Sequence, residues 1–291
     1  MPDETPSLPA PRAERSRDRA DLHLHTNFSD GTETPERVVE LAHQAGLRAI
    51  AITDHDTTEA TALAADAAAR YGIELLPGIE MSASVDGLEV HLLGFLMELA
   101  HRPLVEHLTR QQARRVQRVH EMVSRLQRIG VRIEAAEVFE LAGRGTVGRP
   151  HVARVLLRHG YVATLAEAFS TYLGPENPGF VPGSPVPPAD IIRLIRGAGG
   201  IPVLAHPVYL KRDGLIEGLA AEGLVGLEVY HAGHVPEMVR HYEALADRCT
   251  LLRTGGSDYH GDAKEGAPIG VVTIPYSLVE ALKRWKATHH P

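Results

Sequence analysis

Short apolar runs alternate with helically spaced apolar positions along most of this 291-residue chain. Residues 21–25, Asp-Leu-His-Leu-His, read as a strand, and Pro35 opens a helix whose apolar positions Val38, Val39, Leu41 and Ala42 recur at helical spacing. Residues 49–53 form a second, buried-type strand, followed by an alanine-rich helix over 58–71. Residues 73–79 and 87–95 supply a third and fourth strand, paired around an Asp86-Gly87 turn. This rhythm predicts an α/β domain with parallel strands.

The rhythm stops after residue 100. Residues 101–171 hold no convincing strand but several helical stretches, the longest over 103–129. A Pro/Gly-rich connector, 174–188, closes the segment. Strands at 201–205, 224–229 and 251–255 then alternate with helices at 189–197, 236–247 and 276–286. The expected organisation is one barrel-forming domain (20–100 and 186–291) interrupted by a helical insertion (101–185). The first 19 residues, rich in Pro, Arg and Glu, read as a flexible tail and not as a signal peptide.

Composition narrows the class. With 44% hydrophobic and 23% charged residues the chain is ordinary globular material, which excludes a mostly disordered protein. A single cysteine, Cys249, excludes a disulfide framework or a CxxC zinc site and suits a reducing cytoplasm; it reads as a small core residue. No apolar run approaches the roughly 18–20 residues of a membrane span. The net charge of −7 argues against indiscriminate binding to polyanions. The 17 histidines are the unusual feature, and their placement decides the reading.

Nearly every expected strand ends in a possible metal ligand. His23 and His25, two apart on one strand, point to one face. Asp30 lies in the next loop, Asp54-His55-Asp56 after the second strand, Glu80 after the third and His91 within the fourth. His206 follows the strand at 201–205, Glu228 and His231 close the next, and Asp258 and His260 follow the last. In parallel β/α architectures the C-terminal strand ends form one rim, where sites are built. Gathering so many imidazoles and carboxylates there without cations is costly, because the carboxylates repel and each buried polar group needs a partner. Divalent cations resolve that cost, and a mixed N/O set suits Mn, Fe, Zn or Mg.

The ordered motifs Asp21-Leu22-His23-Leu24-His25-Thr26, Ser29-Asp30-Gly31, Thr53-Asp54-His55-Asp56, Gly78-Ile79-Glu80, Ala205-His206-Pro207 and Gly256-Ser257-Asp258-Tyr259-His260-Gly261 resemble those of the PHP (polymerase and histidinol phosphatase) family of metallophosphoesterases. Gly148-Arg149-Pro150-His151 within a helical insertion resembles the branch called TrpH or YciV, which includes 3′,5′-nucleoside bisphosphate phosphatases and 5′→3′ exoribonucleases of the RNase AM type. The resemblance implies a distorted (β/α)7 barrel and up to three metal ions, Mn2+ being the expected one. It assigns His23, His25, Glu80 and Asp258 to the first ion, with Glu80 bridging to a second completed by His91 and His206. Asp30, His55 and His260 go to a third, and Asp56 is expected to help orient the imidazoles.

Arg149 and His151 open a helix at about 150–159, and a helix N-terminus beside an arginine suits a phosphate remote from the metals. His231 is a further candidate for contact with substrate. The arginines 110, 114, 115, 118, 125 and 128 form a basic stripe that reads first as a solvated helix face. The expected activity is metal-dependent hydrolysis of a phosphate ester on a nucleotide or a short 5′-phosphorylated RNA, with no obligate protein partner and no membrane. Histidinol-phosphate hydrolysis and a non-catalytic metal- or nucleic-acid-binding module are the alternatives.

Overall fold

The computed structural model describes residues 18–263 and 266–289. Eight strands form one nearly closed sheet in the order β7-β6-β5-β4-β3-β2-β1-β8. The first half follows the expected alternation: β1 (Arg19–Leu24), α1 (Pro35–Gln44), β2 (Ala49–Ile52), α2 (Glu59–Tyr71) and β3 (Glu74–Val85). Thr34 caps α1 by accepting from the Arg37 N–H, and Gly72 ends α2 in the left-handed conformation. β1, β2 and β3 pair in parallel. β4 (Leu88–Phe95) returns antiparallel to β3 through Asp86 (φ 52°) and Gly87 (φ 76°), the positive-φ pair that a tight hairpin requires.

After the insertion come α7 (Pro188–Gly197), β5 (Ile201–Leu204), α8 (Asp213–Ala221), β6 (Gly226–His231), α9 (Pro236–Arg248) and β7 (Leu252–Gly256). β5 lies antiparallel to β4, while β5, β6 and β7 run parallel. The ring closes where the segment after β7 meets β1: the His25 N–H donates to the Tyr259 carbonyl at 2.9 Å. Gly256 permits that approach, since a Cβ there would lie 2.5 Å from the His23 nitrogen. The barrel interior is apolar, with Leu22, Ala49, Leu76, Phe95 and Val203 in one cluster joined by Val279 and Leu282 of α10 (Tyr276–His289). α10 sits against the N-terminal end of β1, where the Tyr276 N–H meets the Asp18 carbonyl.

The insertion comprises α3 (Arg102–Arg128), α4 (Ala135–Ala142), α5 (Arg149–Arg158), α6 (Leu165–Ala168) and a π-helical turn, Phe169–Leu173. These helices bury their own apolar cluster, including Val119, Met122, Leu126, Val152, Leu156 and Leu173. The chain rejoins the sheet where the Ser84 N–H donates to the Val186 carbonyl.

Three local readings change. The expected tail reaches too far, because Arg19 begins β1 and Asp18 bonds to α10; residues 1–17 lie outside the described residues. The helix α8 escapes a periodicity reading because Gly214 and Gly218 dilute it. β8, Ile274–Pro275, is two residues long and pairs antiparallel with β1, too short to leave a pattern.

Candidate metal centre

The strand ends deliver their polar residues to one place. His23 and His25 leave the end of β1, where the pairing with β2 slips register, and their Nε2 atoms converge to 3.1 Å. Glu80 comes from β3, His91 from β4, His206 from the residue pair after β5, and Asp258 with His260 from the loop after β7. His206 (φ 26°) and Asp258 (φ 53°) adopt positive φ, backbone strain of the kind held at sites where the surroundings dictate a side chain's aim. Every expected ligand residue lies in this cluster.

The sharpest geometry belongs to His23 Nε2, His25 Nε2, Glu80 Oε2 and Asp258 Oδ1. His23 Nε2 lies 3.3 Å from both oxygens, and His25 Nε2 lies 3.2 and 3.4 Å from them. A tetrahedral cation with bonds of about 2.0–2.1 Å sets its ligand atoms about 3.3–3.4 Å apart, so these spacings are those of a coordination shell. The other oxygen of Glu80, Oε1, lies 3.0 Å from both His91 Nδ1 and His206 Nε2. One carboxylate therefore serves two donor sets.

A third set surrounds Asp30, whose oxygens lie 3.3 Å from His260 Nε2 and 3.6 Å from His55 Nε2. His25 also approaches it, with Nδ1 3.6 Å from Asp30 and 3.3 Å from the Ser29 hydroxyl. A neutral imidazole has one lone pair; with Nε2 of His25 directed at the first set, its Nδ1–H is the donor here. That leaves Asp30, His55 and His260 as the third set.

A further layer fixes these groups. Glu228, fully buried, accepts from His23 Nδ1 at 2.9 Å and from the His206 N–H at 2.7 Å. Asp54 accepts from the Thr26 N–H, the Thr26 hydroxyl and the Ser29 hydroxyl at 2.6–2.7 Å, holding the loop that carries Asp30. Asp21 accepts from the Ser257 and Gly270 N–H groups, and burial raises its carboxyl to about 6 against those bonds. Asp21 opens the first motif, but its bracing role is not readable from the chain, since an acid at a strand start is a surface residue until barrel closure buries it.

Burial alone would raise the carboxyls of Glu80, Asp30 and Asp258, yet the surrounding imidazoles outweigh it and hold all three well below the usual carboxylate range. The histidines divide. Burial opposes charge on His25 and His91, but their carboxylate partners lift them to about 9 and about 10. Burial dominates at His55, lowering it to about 3, and also lowers His206. Concentrated negative charge at this rim thus draws positive charge to it.

The donor set fits divalent cations. Besides the tetrahedral spacing, His55 Nδ1 is buried without a hydrogen-bond partner although it lies 3.2 Å from Glu80 Oε2. A cation on His55, at Nδ1 beside Glu80 or at Nε2 beside Asp30, takes its one lone pair and leaves the other nitrogen as an N–H donor to the facing carboxylate.

Other candidates are placed differently. Asp56 touches no imidazole; it pairs with Arg115 and accepts from the Ser82 N–H, so orienting the histidines falls to Glu228. His151, 2% exposed, accepts from the Gly148 N–H as a cap of α5, and is removed from the expected phosphate contact. His231, also 2% exposed, accepts from the Gly233 N–H at Nδ1 and so donates from Nε2 to Asp258 at 3.2 Å, where it steadies that carboxylate. The arginine stripe divides: Arg110, Arg114 and Arg128 are exposed, as expected of a solvated face, whereas Arg115 and Arg118 are largely buried toward the barrel and Arg125 donates to the Phe180 carbonyl. Arg149, half-buried, pairs with Glu89.

A barrel rim that collects carboxylates and imidazoles into adjoining groups able to hold cations defines a metal-dependent hydrolase. The PHP domain model matches residues 21–171. The chain belongs to the PHP domain family of metal-dependent phosphoesterases. It is 35% identical over 251 residues to the 5′-3′ exoribonuclease Rnm of Escherichia coli, spanning 82% of this chain and 84% of that protein. It is 35% identical over 260 residues to the 3′,5′-nucleoside bisphosphate phosphatase of Chromobacterium violaceum, spanning 86% and 90%. A solved structure from Bifidobacterium adolescentis, described as a metal-dependent phosphoesterase, has a TM-score of 0.85 at 34% identity, covering 90% of this chain and 94% of its own. Among the described residues no helix is long and apolar enough to cross a membrane.

Proposed function

We propose that this chain hydrolyses a phosphate ester on nucleotides that carry a second phosphate, namely 3′,5′-nucleoside bisphosphates or the end of a short 5′-phosphorylated RNA. The observation that carries the reading is the convergence of His23 and His25 Nε2, 3.1 Å apart, on Glu80 Oε2 and Asp258 Oδ1 at 3.2–3.4 Å. Both named relatives act on nucleotide phosphates, which supports the same substrate class here.

Divalent cations, Mn2+ in this reading, make water nucleophilic near neutral pH and neutralise phosphoryl oxygens. The chain's own residues do the rest. Glu80 ties two donor sets together through its two oxygens, and Glu228 fixes His23 and His206 at once. The His231 Nε2–H holds Asp258. Arg149, on the first turn of α5, meets the substrate's remote phosphate. The barrel (20–100, 186–291) supplies the chemistry and the insertion (101–185) the specificity. A single cysteine supports a cytoplasmic setting, and a nucleotide or short RNA is the partner.

The test is hydrolysis of a 3′,5′-nucleoside bisphosphate, the corresponding monophosphates, 5′-phosphorylated RNA oligomers and histidinol phosphate, at matched enzyme concentration with added Mn2+. Preference for the doubly phosphorylated substrates, lost in Arg149→Ala, is the expected result. Equal turnover of mono- and bisphosphates, or an Arg149→Ala variant indifferent to the second phosphate, overturns it.

A further inference from the structure

Among the described residues, every Phe, Tyr and Trp side chain is buried or half-buried except Tyr209, which is 57% exposed. A lone exposed ring is ordinary on a protein surface, but this one stands at the metal rim. It closes the short helical turn Pro207–Tyr209, which follows the ligand His206 directly. The turn is rooted. Pro207 and Leu210 are buried, and Leu210 and Val208 pack into the apolar cluster that holds Ile216 and Leu219 of α8. The Tyr209 N–H donates to the His206 carbonyl at 3.2 Å and the Leu210 N–H to the Pro207 carbonyl at 3.0 Å. Tyr209 therefore projects outward from a fixed backbone while its neighbours point inward.

Two imidazoles of the centre support the ring. Its centroid lies 5.2 Å from that of His206 and 6.0 Å from that of His231, with the planes inclined at 58° and 84°. Neither imidazole is parallel to the phenol, so neither covers a face by stacking. The loop after β6 runs along the hydroxyl end: a Cβ on Gly233 would come within 3.3 Å of Tyr209 Oη. Gly233 is itself held, its N–H donating to His231 Nδ1 at 2.9 Å. Val235, two residues along the same loop, is 49% exposed and adds apolar surface there. Among the described residues the Tyr209 hydroxyl has no hydrogen-bond partner, so the ring is presented as a flat apolar face and not tied down by its polar end.

We propose that Tyr209 is the platform on which the substrate's base stacks, and that it selects nucleotides over phosphate esters that lack a planar ring system. The proposal rests on the phosphoesterase reading above and assigns the part of the substrate that carries no phosphate. A phosphate held beside His206 leaves its organic group to extend toward solvent, and Tyr209 is the aromatic surface standing there. Every base offers a π-face, so the contact accepts any base, whereas a bare sugar or an alkyl group has nothing to lay against the ring. A two-torsion side chain on an anchored turn loses little freedom on binding, which makes the platform effective at small size.

The experiment compares wild type, Tyr209→Ala, Tyr209→Phe and Tyr209→Trp on adenosine 3′,5′-bisphosphate and on its base-free analogue, in which hydrogen replaces adenine, with Mn2+ added. Tyr209→Ala is expected to lower kcat/KM for the adenosine substrate about tenfold, the order of one base–aromatic stack, chiefly through KM, and to affect the base-free analogue far less. Tyr209→Phe and Tyr209→Trp are expected to keep the preference for the base. A second readout needs no turnover. Tyr209→Trp adds an indole to a chain whose only other one is Trp285, and adenosine 5′-monophosphate is expected to quench its emission where inorganic phosphate does not. Equal losses on the two substrates in Tyr209→Ala, no loss on either, or a Tyr209→Phe variant no better than Tyr209→Ala overturns the proposal, as does Tyr209→Trp emission indifferent to the nucleotide. Wild type that releases phosphate from neither substrate overturns the catalytic reading instead, and the emission change then decides the platform by itself.

Discussion

Arg115 of the insertion and Asp56 of the barrel form a buried ion pair, with Nε and Nη2 of the arginine each 2.7 Å from one carboxylate oxygen. Asp56 is fully buried at φ 51°, one residue after His55, and its other oxygen accepts from the Ser82 N–H at 3.0 Å. Arg115 extends to the Ser82 hydroxyl at 2.9 Å, and the Thr146 hydroxyl donates to the His55 carbonyl at 2.6 Å. The insertion thus grips the loop that presents a ligand of the third donor set.

Removing the arginine strands a buried carboxylate. Arg115→Ala is expected to lose about 3–5 kcal/mol of stability, the usual result of breaking a buried pair from one side. Arg115→Met combined with Asp56→Asn removes both charges while keeping a residue that tolerates positive φ, and is expected to recover most of it. Denaturant unfolding of the three proteins checks this; a single variant as stable as wild type, or a double variant no better than the single, contradicts it.

Glu228 offers a sharper intervention because its two oxygens do different jobs. Both partners, His23 Nδ1–H and the His206 N–H, are donors. In Glu228→Gln one of them must face an NH2 group, so either His23 or the His206 backbone loses its anchor. The expected effect is about 10–100-fold weaker metal retention with the fold intact, as for other groups that orient a ligating histidine. Elemental analysis after dialysis against graded chelator measures it.

Much of this was legible in the chain because strand ends and ligands coincide: His23, His25, His55, Glu80, His206 and Asp258 each follow or close a short apolar run. What periodicity could not reveal was pairing across long sequence distances. Asp56 stands beside His55, yet its partner is 59 residues away on a helix where Arg110, Arg114 and Arg128 are exposed. His151 and His231 carry the chemistry expected of substrate contacts, and only burial shows that one caps a helix and the other braces Asp258. Glu89, a single acid within a strand, carries no pattern in the sequence, and its ion pair with Arg149 and approach to Arg118 emerge only in the fold.

Chelation should lower stability as well as activity. Ions that bind the assembled shell but not the unfolded chain add RT ln(1 + [L]/Kd), about 2.7 kcal/mol per site at a hundredfold excess over Kd. Thermal unfolding with EDTA and then with Mn2+ restored is expected to show a fall and recovery of several degrees. Asp258→Asn, which weakens the shell of His23, His25 and Glu80, is expected to shrink that recovery. A melting temperature indifferent to both additions contradicts the metal-centre reading.

The opposite end of the barrel gives a prediction independent of metals. Glu74 at the start of β3 accepts from the Tyr276 hydroxyl at 2.6 Å and pairs with Lys283, tying α10 to the sheet. Burial would raise the Glu74 carboxyl, but the bonds from Lys283 and Tyr276 outweigh it and lower it; burial would lower Lys283, but Glu74 and Tyr276 raise it. A depressed carboxyl contributes stability that is complete above its unfolded value near about 4.3 and is lost as pH falls through the folded value. A raised lysine contributes stability that is complete below about 10.4 and is lost as pH rises through its folded value. The stability gap between wild type and Glu74→Gln should therefore form a plateau across neutral pH, closing at both extremes. The pair is partly solvated, so the plateau is expected at no more than about 1 kcal/mol, and smaller in high salt. Paired denaturation curves at pH 4, 7 and 10.5 in chelator read the difference directly. A gap that widens on acidification reverses the sign and removes the ion pair as the link between α10 and β3.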